Sequence, residues 1–213
     1  MIPNLFPLLI PIAPLLAALF TTLPFRSNSF PIYFFSWWLM VISFLVSFIL
    51  FIQAIQYPDV SRLELFSPKW SILPEISMSV DRLSSVMMLF ISGFGVILYR
   101  YSIRYLQQDL GYNRYLTLLA LCISSLLFMV SCADLIMFFI FWQLLGWFLA
   151  LLSHNYSHGP TIRSSFRTFM ILRAGDLIFL SGIVITYYLY GTLEFNMLFQ
   201  RASTEETMIS FFG

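Results

Sequence analysis

The chain has 213 residues, 60% of them apolar and 10% charged, with a mean hydropathy of +0.86. An ordinary soluble domain carries about 25% charged residues, so this composition excludes one and describes an integral membrane protein, with membrane lipid as its immediate partner. A net charge of +1 with no basic run argues against a nucleic-acid partner.

About 20 apolar residues cross a bilayer. On that criterion the sequence predicts an all-α, polytopic transmembrane bundle of six helices, at 2–23, 32–56, 83–103, 115–131, 135–152 and 169–190. The first stretch is too long and too rich in proline for a signal-peptide core and lacks a basic n-region, so it is read as a helix of the mature chain. Its Pro3, Pro7, Pro11 and Pro14 recur every three or four residues and share one face. Each proline removes a backbone donor, which lipid does not replace, so neighbouring helices must compensate. A tightly packed peripheral helix is the expectation, with a flexible wall as the alternative.

Between the second and third helices, 57–81 is the long polar connection. Ile76, Met78 and Val80 alternate with Ser77 and Ser79, the period of a strand, while Pro58, Pro68 and Pro74 mark turns. A short external β-hairpin capping the bundle is expected there. The fourth and fifth helices are separated by Cys132-Ala-Asp134 alone, which requires a tight antiparallel hairpin. Asp134 reads as the N-cap of the fifth helix, with a proton entrance as the alternative. Cys122 and Cys132 offer neither a disulfide framework nor metal-ligand spacing. His154 and His158 fall in a turn-forming segment without a third ligand, which favours a solvated loop over a metal site. The tail after Tyr190 is too polar for a seventh span, and its apolar ending, Phe211-Phe212-Gly213, suggests truncation. The organisation expected is two helices (1–56), an external hairpin (57–81), a four-helix core (82–190) and a polar tail (191–213).

Arg26, Arg100, Arg104, Arg114, Arg163 and Arg167 fall on one side of this six-span arrangement, and Arg62, Lys69, Arg82 and Arg201 on the other. Positive charge favours the cytoplasmic side, which places both termini outside. Arg100 and Arg104, among Tyr99, Tyr101 and Tyr105, read as an interfacial anchor first and a partner contact second.

Two features stand out within the spans. Arg173 and Asp176 lie in the last one, three residues apart and therefore on one helix face, where they can share charge. Ionisable groups in a span cost roughly 2.5–3.5 kcal/mol near its centre and mark polar pathways. Gln143, in the middle of the fifth helix, needs partners for its amide but cannot titrate, so it serves either as a contact between helices or as an orienter of water. Neither a glycine-rich nucleotide loop nor a CxxC set occurs, so no cofactor is expected and any redox chemistry belongs to other subunits.

Asp81-Arg-Leu-Ser-Ser-Val-Met87, Tyr101-Ser-Ile-Arg-Tyr-Leu106, Gly111-Tyr-Asn-Arg-Tyr115, Phe141-Trp-Gln143, Arg173-Ala-Gly-Asp176 and Gly191-Thr-Leu-Glu-Phe195 occur in this order. The set resembles the antiporter-like membrane subunits: subunit L of complex I (mitochondrial subunit 5), the large Mrp antiporter subunit, and DabB of bicarbonate-uptake complexes. The resemblance implies inverted five-helix repeats, each with a broken helix, and proton transfer along a hydrated axis. It places Arg173 and Asp176 on the family's Arg-x-Gly-Asp element. It places Gln143 where complex I and Mrp members carry a glutamate.

That substitution and the Tyr101–Leu106 segment lie closer to DabB. They imply an N-terminal fragment that couples cation flux to inorganic-carbon uptake with a DabA-type zinc protein, in a bacterial inner membrane. A divergent quinone-reductase or Mrp subunit, among its own complex partners, is the second expectation. A structural remnant is the third. Family members have about 14–16 helices, so a separate chain supplying the missing C-terminal helices is a further implied partner.

Overall fold

The computed structural model describes residues 7–22, 30–56, 61–66, 76–106, 111–153 and 159–204. These contain seven helices: α1 (Leu9–Thr22), α2 (Phe30–Gln56), α3 (Arg82–Tyr105), α4 (Tyr112–Ser131), α5 (Leu135–Ser153), α6 (Gly159–Tyr190) and α7 (Phe195–Thr204). Two strands, β1 (Ser61–Phe66) and β2 (Ile76–Val80), pair antiparallel between α2 and α3, with Leu63 opposite Met78. The segment joining the strands lies outside the described residues, as do Pro3, His154 and His158. Five helices are long and apolar enough to cross a membrane, and the chain is a multi-pass membrane protein.

Helix α1 is shorter, with 14 residues. The fact that α6 begins at Gly159 rather than at 169 corrects the sequence expectation. Hydropathy marks where a helix enters lipid, not where it starts. Pro160 is accommodated in the first turn, and no breaker separates it from Phe169. The tail expected after 190 is not merely a polar extension, because it carries α7.

Helices α1 to α4 form the packed core: α1 lies against α2 and α4, α2 against α3, and α3 against α4. Ile10, Ala17, Met40, Met88, Tyr99, Leu116 and Leu127 are buried together. The proline face of α1 is closely packed, and Pro11, Ala13, Pro14, Ala17 and Ala18 are all buried. Small residues allow the backbones to approach, the means by which helices associate without a hydrophobic driving force. Pro14 removes the N–H that would serve the Ile10 carbonyl, and Ser43 Oγ of α2 donates to that oxygen at 2.7 Å. Ser124 Oγ of α4 donates to the Pro11 carbonyl at 2.8 Å. Thr21 and Thr117 share a hydrogen bond of 2.8 Å between α1 and α4.

Outside this core, α5 packs on α4, with Phe128 and Phe141 stacked at 4.8 Å, and α6 packs on α5. No residue of α5 is fully buried. At one end of the bundle the Cys132–Asp134 turn is gripped from two sides. Ala133 N–H donates to the Ser77 carbonyl of β2 (3.1 Å), Phe195 N–H donates to the Ala133 carbonyl (3.0 Å), and Leu135 N–H donates to the Leu193 carbonyl (3.0 Å). The Asp134 carbonyl receives Phe138 N–H at 2.9 Å, opening α5 at the position expected of its cap. Gly191 turns the chain out of α6 at φ +66°, where glycine is unstrained, and Arg201 of α7 donates to the Tyr190 carbonyl.

The Ser43 bond yields a double-mutant test. Ser43→Ala should destabilise the chain by about 1 kcal/mol in detergent unfolding, because it orphans a carbonyl in an apolar surround. Pro14→Ala, which restores the helical N–H, should remove most of that loss. Additive effects of the two substitutions would contradict the assignment.

Candidate functional site

The faces that α5 and α6 turn towards each other follow from helical spacing. On α5, Trp142 and Gly146 form one four-residue row and Gln143 and Trp147 the next. On α6, Phe169, Arg173 and Asp176 form a stripe with steps of four and three. The two rows bring aromatic rings and hydrogen-bonding groups of α5 against the charged pair of α6.

Arg173 Nη1 donates to Asp176 Oδ2 at 3.0 Å. Trp142 Nε1 donates to Asp176 Oδ1 at 2.9 Å, so each carboxylate oxygen has its own donor. The second guanidinium nitrogen of Arg173 reaches the Gln143 backbone carbonyl at 3.4 Å. Below the guanidinium lie two rings: its central carbon is 5.1 Å from the Trp147 centroid and 4.7 Å from that of Phe169. Those rings meet at 5.0 Å. Cation–π attraction of this kind strengthens where water is excluded. The side chains of Arg173 and Asp176 are 22% and 16% exposed, so the pair is sheltered but not sealed.

Depth follows from helical rise. Gln143 is roughly 12 Å from the start of α5 and roughly 15 Å from its end, the middle of a span. Arg173 and Asp176 meet α5 at that level. Along α6, Arg173 stands early in the apolar stretch Phe169–Tyr190, and its depth is set by the residues of α5 that it meets.

Gly146 faces the same guanidinium: a Cβ there would stand 3.4 Å from Arg173 Nη2, at ordinary contact distance, leaving room for a methyl and little more. Thus Gln143, Arg173 and Asp176, singled out from the sequence, come together in one cluster. Sequence reasoning missed Trp142, Gly146, Trp147 and Phe169 as members. The signal for them was present in the two adjacent four-residue rows on α5, but aromatic rows on an apolar helix have many other uses.

Burial, with the Asp134 charge beside it, pushes the Cys132 thiol up to about 12, which keeps it protonated at neutral pH. Among the described residues no group of three or more His, Cys, Asp or Glu side chains is placed to hold a metal.

Replacement of Gly146 distinguishes a packed guanidinium from a loosely held one. Gly146→Ala should be tolerated, since its methyl meets Arg173 at ordinary contact distance. Gly146→Val should push the guanidinium off Trp147 and lower stability in detergent by about 1–3 kcal/mol. Equal stability of the two variants would show that Arg173 is not held there.

Two family descriptions match this chain. Residues 71–116 match the N-terminus of NADH-ubiquinone oxidoreductase (complex I) chain 5, and residues 132–213 match the transmembrane region of NADH:quinone oxidoreductase/Mrp antiporter subunits. A protein of Halothiobacillus neapolitanus named "Probable inorganic carbon transporter subunit DabB1" is 39% identical over 142 residues, covering 65% of this chain and 25% of that protein. The chloroplastic NAD(P)H-quinone oxidoreductase subunit 5 of Vicia faba is 31% identical over 204 residues, covering 93% of this chain and 26% of that one. The chain therefore spans about a quarter of the length of these curated relatives.

Two solved structures share the fold. A chain of the archaeal membrane-bound sulfane sulfur reductase matches with a TM-score of 0.75 and 18% identity over 92% of this chain and 39% of that chain. A chain of the Mrp complex from Dietzia sp. DQ12-45-1b matches with a TM-score of 0.65 and 20% identity over 91% of this chain and 20% of that chain. With both family regions matched in order and the fold shared, the chain belongs to the antiporter-like membrane subunits, of which it represents the N-terminal part.

Proposed function

We propose that this chain is the N-terminal part of a cation-translocating subunit that couples ion flux to inorganic-carbon uptake, working with a DabA-type zinc protein in a bacterial inner membrane. The observation that carries the reading is the Arg173–Asp176 pair seated on Trp142 and Gln143 at mid-span. Two charges whose insertion costs several kcal/mol are rare within spans, and those that occur commonly line ion or proton pathways.

In this cluster Arg173 stays charged, since a guanidinium does not deprotonate in proteins. Asp176 is the group able to accept and release a proton, and the neighbouring donors hold its carboxylate in one orientation. Gln143, an amide, orients water or Asp176 and carries no proton of its own. The cluster therefore biases the charge of a pathway, and the remaining relay groups belong to helices supplied by a continuation of the subunit or by a second chain. In the same reading α1 completes a six-span arrangement, β1 and β2 form an external cap, and the end bearing Arg100, Arg104 and Arg114 faces the cytoplasm. Similarity to DabB1 and the glutamine at 143 favour the carbon-uptake branch.

A second reading, a proton-translocating quinone-oxidoreductase or Mrp subunit, draws support from the chloroplastic relatives, one of which aligns over 93% of this chain.

Asp176→Asn should lower labelled-bicarbonate uptake by the intact complex roughly tenfold, equivalent to ~1.4 kcal/mol of lost stabilisation of the rate-limiting state. Complex assembly, read by co-purification, should be retained. Unchanged uptake would reduce the pair to a packing element. Uptake absent from the unsubstituted complex, together with quinone-linked proton pumping, would favour the second reading.

A further inference from the structure

The C-terminal end of α3 and the facing part of α2 enclose an open groove of ≈ 610 Å³, bounded by Trp37, Val96, Ile97, Arg100, Tyr101, Arg104 and Tyr105. Its size falls within the ~300–1,000 Å³ usual for small-molecule sites. Two guanidinium groups, four residues apart and so on one face of α3, stand at its polar end. Arg100 is held over the Trp37 ring at 4.8 Å. Tyr101 and Tyr105 are stacked at 5.3 Å with an interplanar angle of 15°. The other end is hydrocarbon, from Val96 and Ile97, and Ile97 is 65% exposed. Neither Arg100 nor Arg104 is paired with a carboxylate among the described residues.

We infer that this groove binds the headgroup of an anionic phospholipid, with an acyl chain lying along Val96 and Ile97. The chemistry is that of an amphiphile with one negative, phosphate-bearing end. Guanidinium forks match phosphate oxygens with two parallel hydrogen bonds. Tyrosine and tryptophan rings occupy the headgroup level of a bilayer. The groove runs from Val96 to Tyr105, the last residue of a spanning helix, where both conditions meet. Pre-positioning of Arg100 on Trp37 lowers the entropy lost on binding. A zwitterionic lipid presents the same phosphate beside its own cation, which two arginines repel. The inference stands independently of the transport reading, since it concerns a surface formed by α2 and α3 and not by α5 or α6.

The test is native mass spectrometry of the full chain released from nanodiscs containing phosphatidylcholine and a minority of phosphatidylglycerol. The unsubstituted chain should retain phosphatidylglycerol in preference. Each near-surface arginine contributes roughly fivefold in affinity, so Arg100→Gln with Arg104→Gln should reduce retention by roughly 25-fold. Arg100→Lys with Arg104→Lys, which keeps the charge but loses the fork and the planar stacking on Trp37, should give retention between that of the glutamine variant and the unsubstituted chain, and Arg82→Gln, the same loss of charge at the other end of α3, should change nothing. No headgroup preference in the unsubstituted chain would overturn the inference, as would equal retention by the glutamine variant. Displacement of the lipid by millimolar inorganic phosphate would assign the arginines to a free anion and overturn it as well.

Discussion

In a hydrocarbon surround polar groups left without water are costly unless the protein supplies partners, and this constraint explains the placement of Ser43, Ser124, Arg173 and Asp176. The Arg173–Asp176 pair is its most demanding case. Each carboxylate oxygen has a separate N–H donor, and the guanidinium is divided between a carboxylate, a backbone carbonyl and two aromatic faces. Serine hydroxyls perform the same task for the proline-interrupted backbone of α1. Ser43 and Ser124 reach the Ile10 and Pro11 carbonyls from two different helices, tying α1 to both neighbours.

These bonds divide the molecule into two regimes. Helices α1 to α4 are interlocked through small residues and hydroxyls, with Met88, Tyr99, Leu116 and Leu127 wholly enclosed. Helices α5 and α6 are a layer added outside α4, largely exposed and joined to each other by aromatic contacts around the charged cluster. The backbone bonds from β2 and from 193–195 fix the α4–α5 turn, so one end of α5 is anchored while its polar middle faces α6.

Much of this was legible in the sequence. The five long spans follow from hydropathy, the strand at 76–80 from its period of two, and the contact of Arg173 with Asp176 from their spacing. The start of α6 was not legible, because Arg163 and Arg167 interrupt hydropathy without interrupting a helix. Helix α7 was hidden by its polarity. The partners of Asp176 on α5 depend on the rotation of one helix against another, which no single-helix period encodes. Gly146 shows this well: its use becomes visible only when Arg173 is placed against it. The Gly191–Phe195 segment is visible in the sequence as a motif, but its role as a backbone partner of the Cys132–Asp134 turn depends on tertiary pairing.

Asp176 is held by α5 rather than by lipid headgroups or solvent. A double-mutant cycle of Trp142→Phe and Asp176→Asn, followed by unfolding in detergent, tests this most directly. A coupling energy of about 1–2 kcal/mol is expected for a direct hydrogen bond to a charged acceptor in this setting. Additivity within ~0.3 kcal/mol would contradict the account, because the indole and the carboxylate would then act without touching.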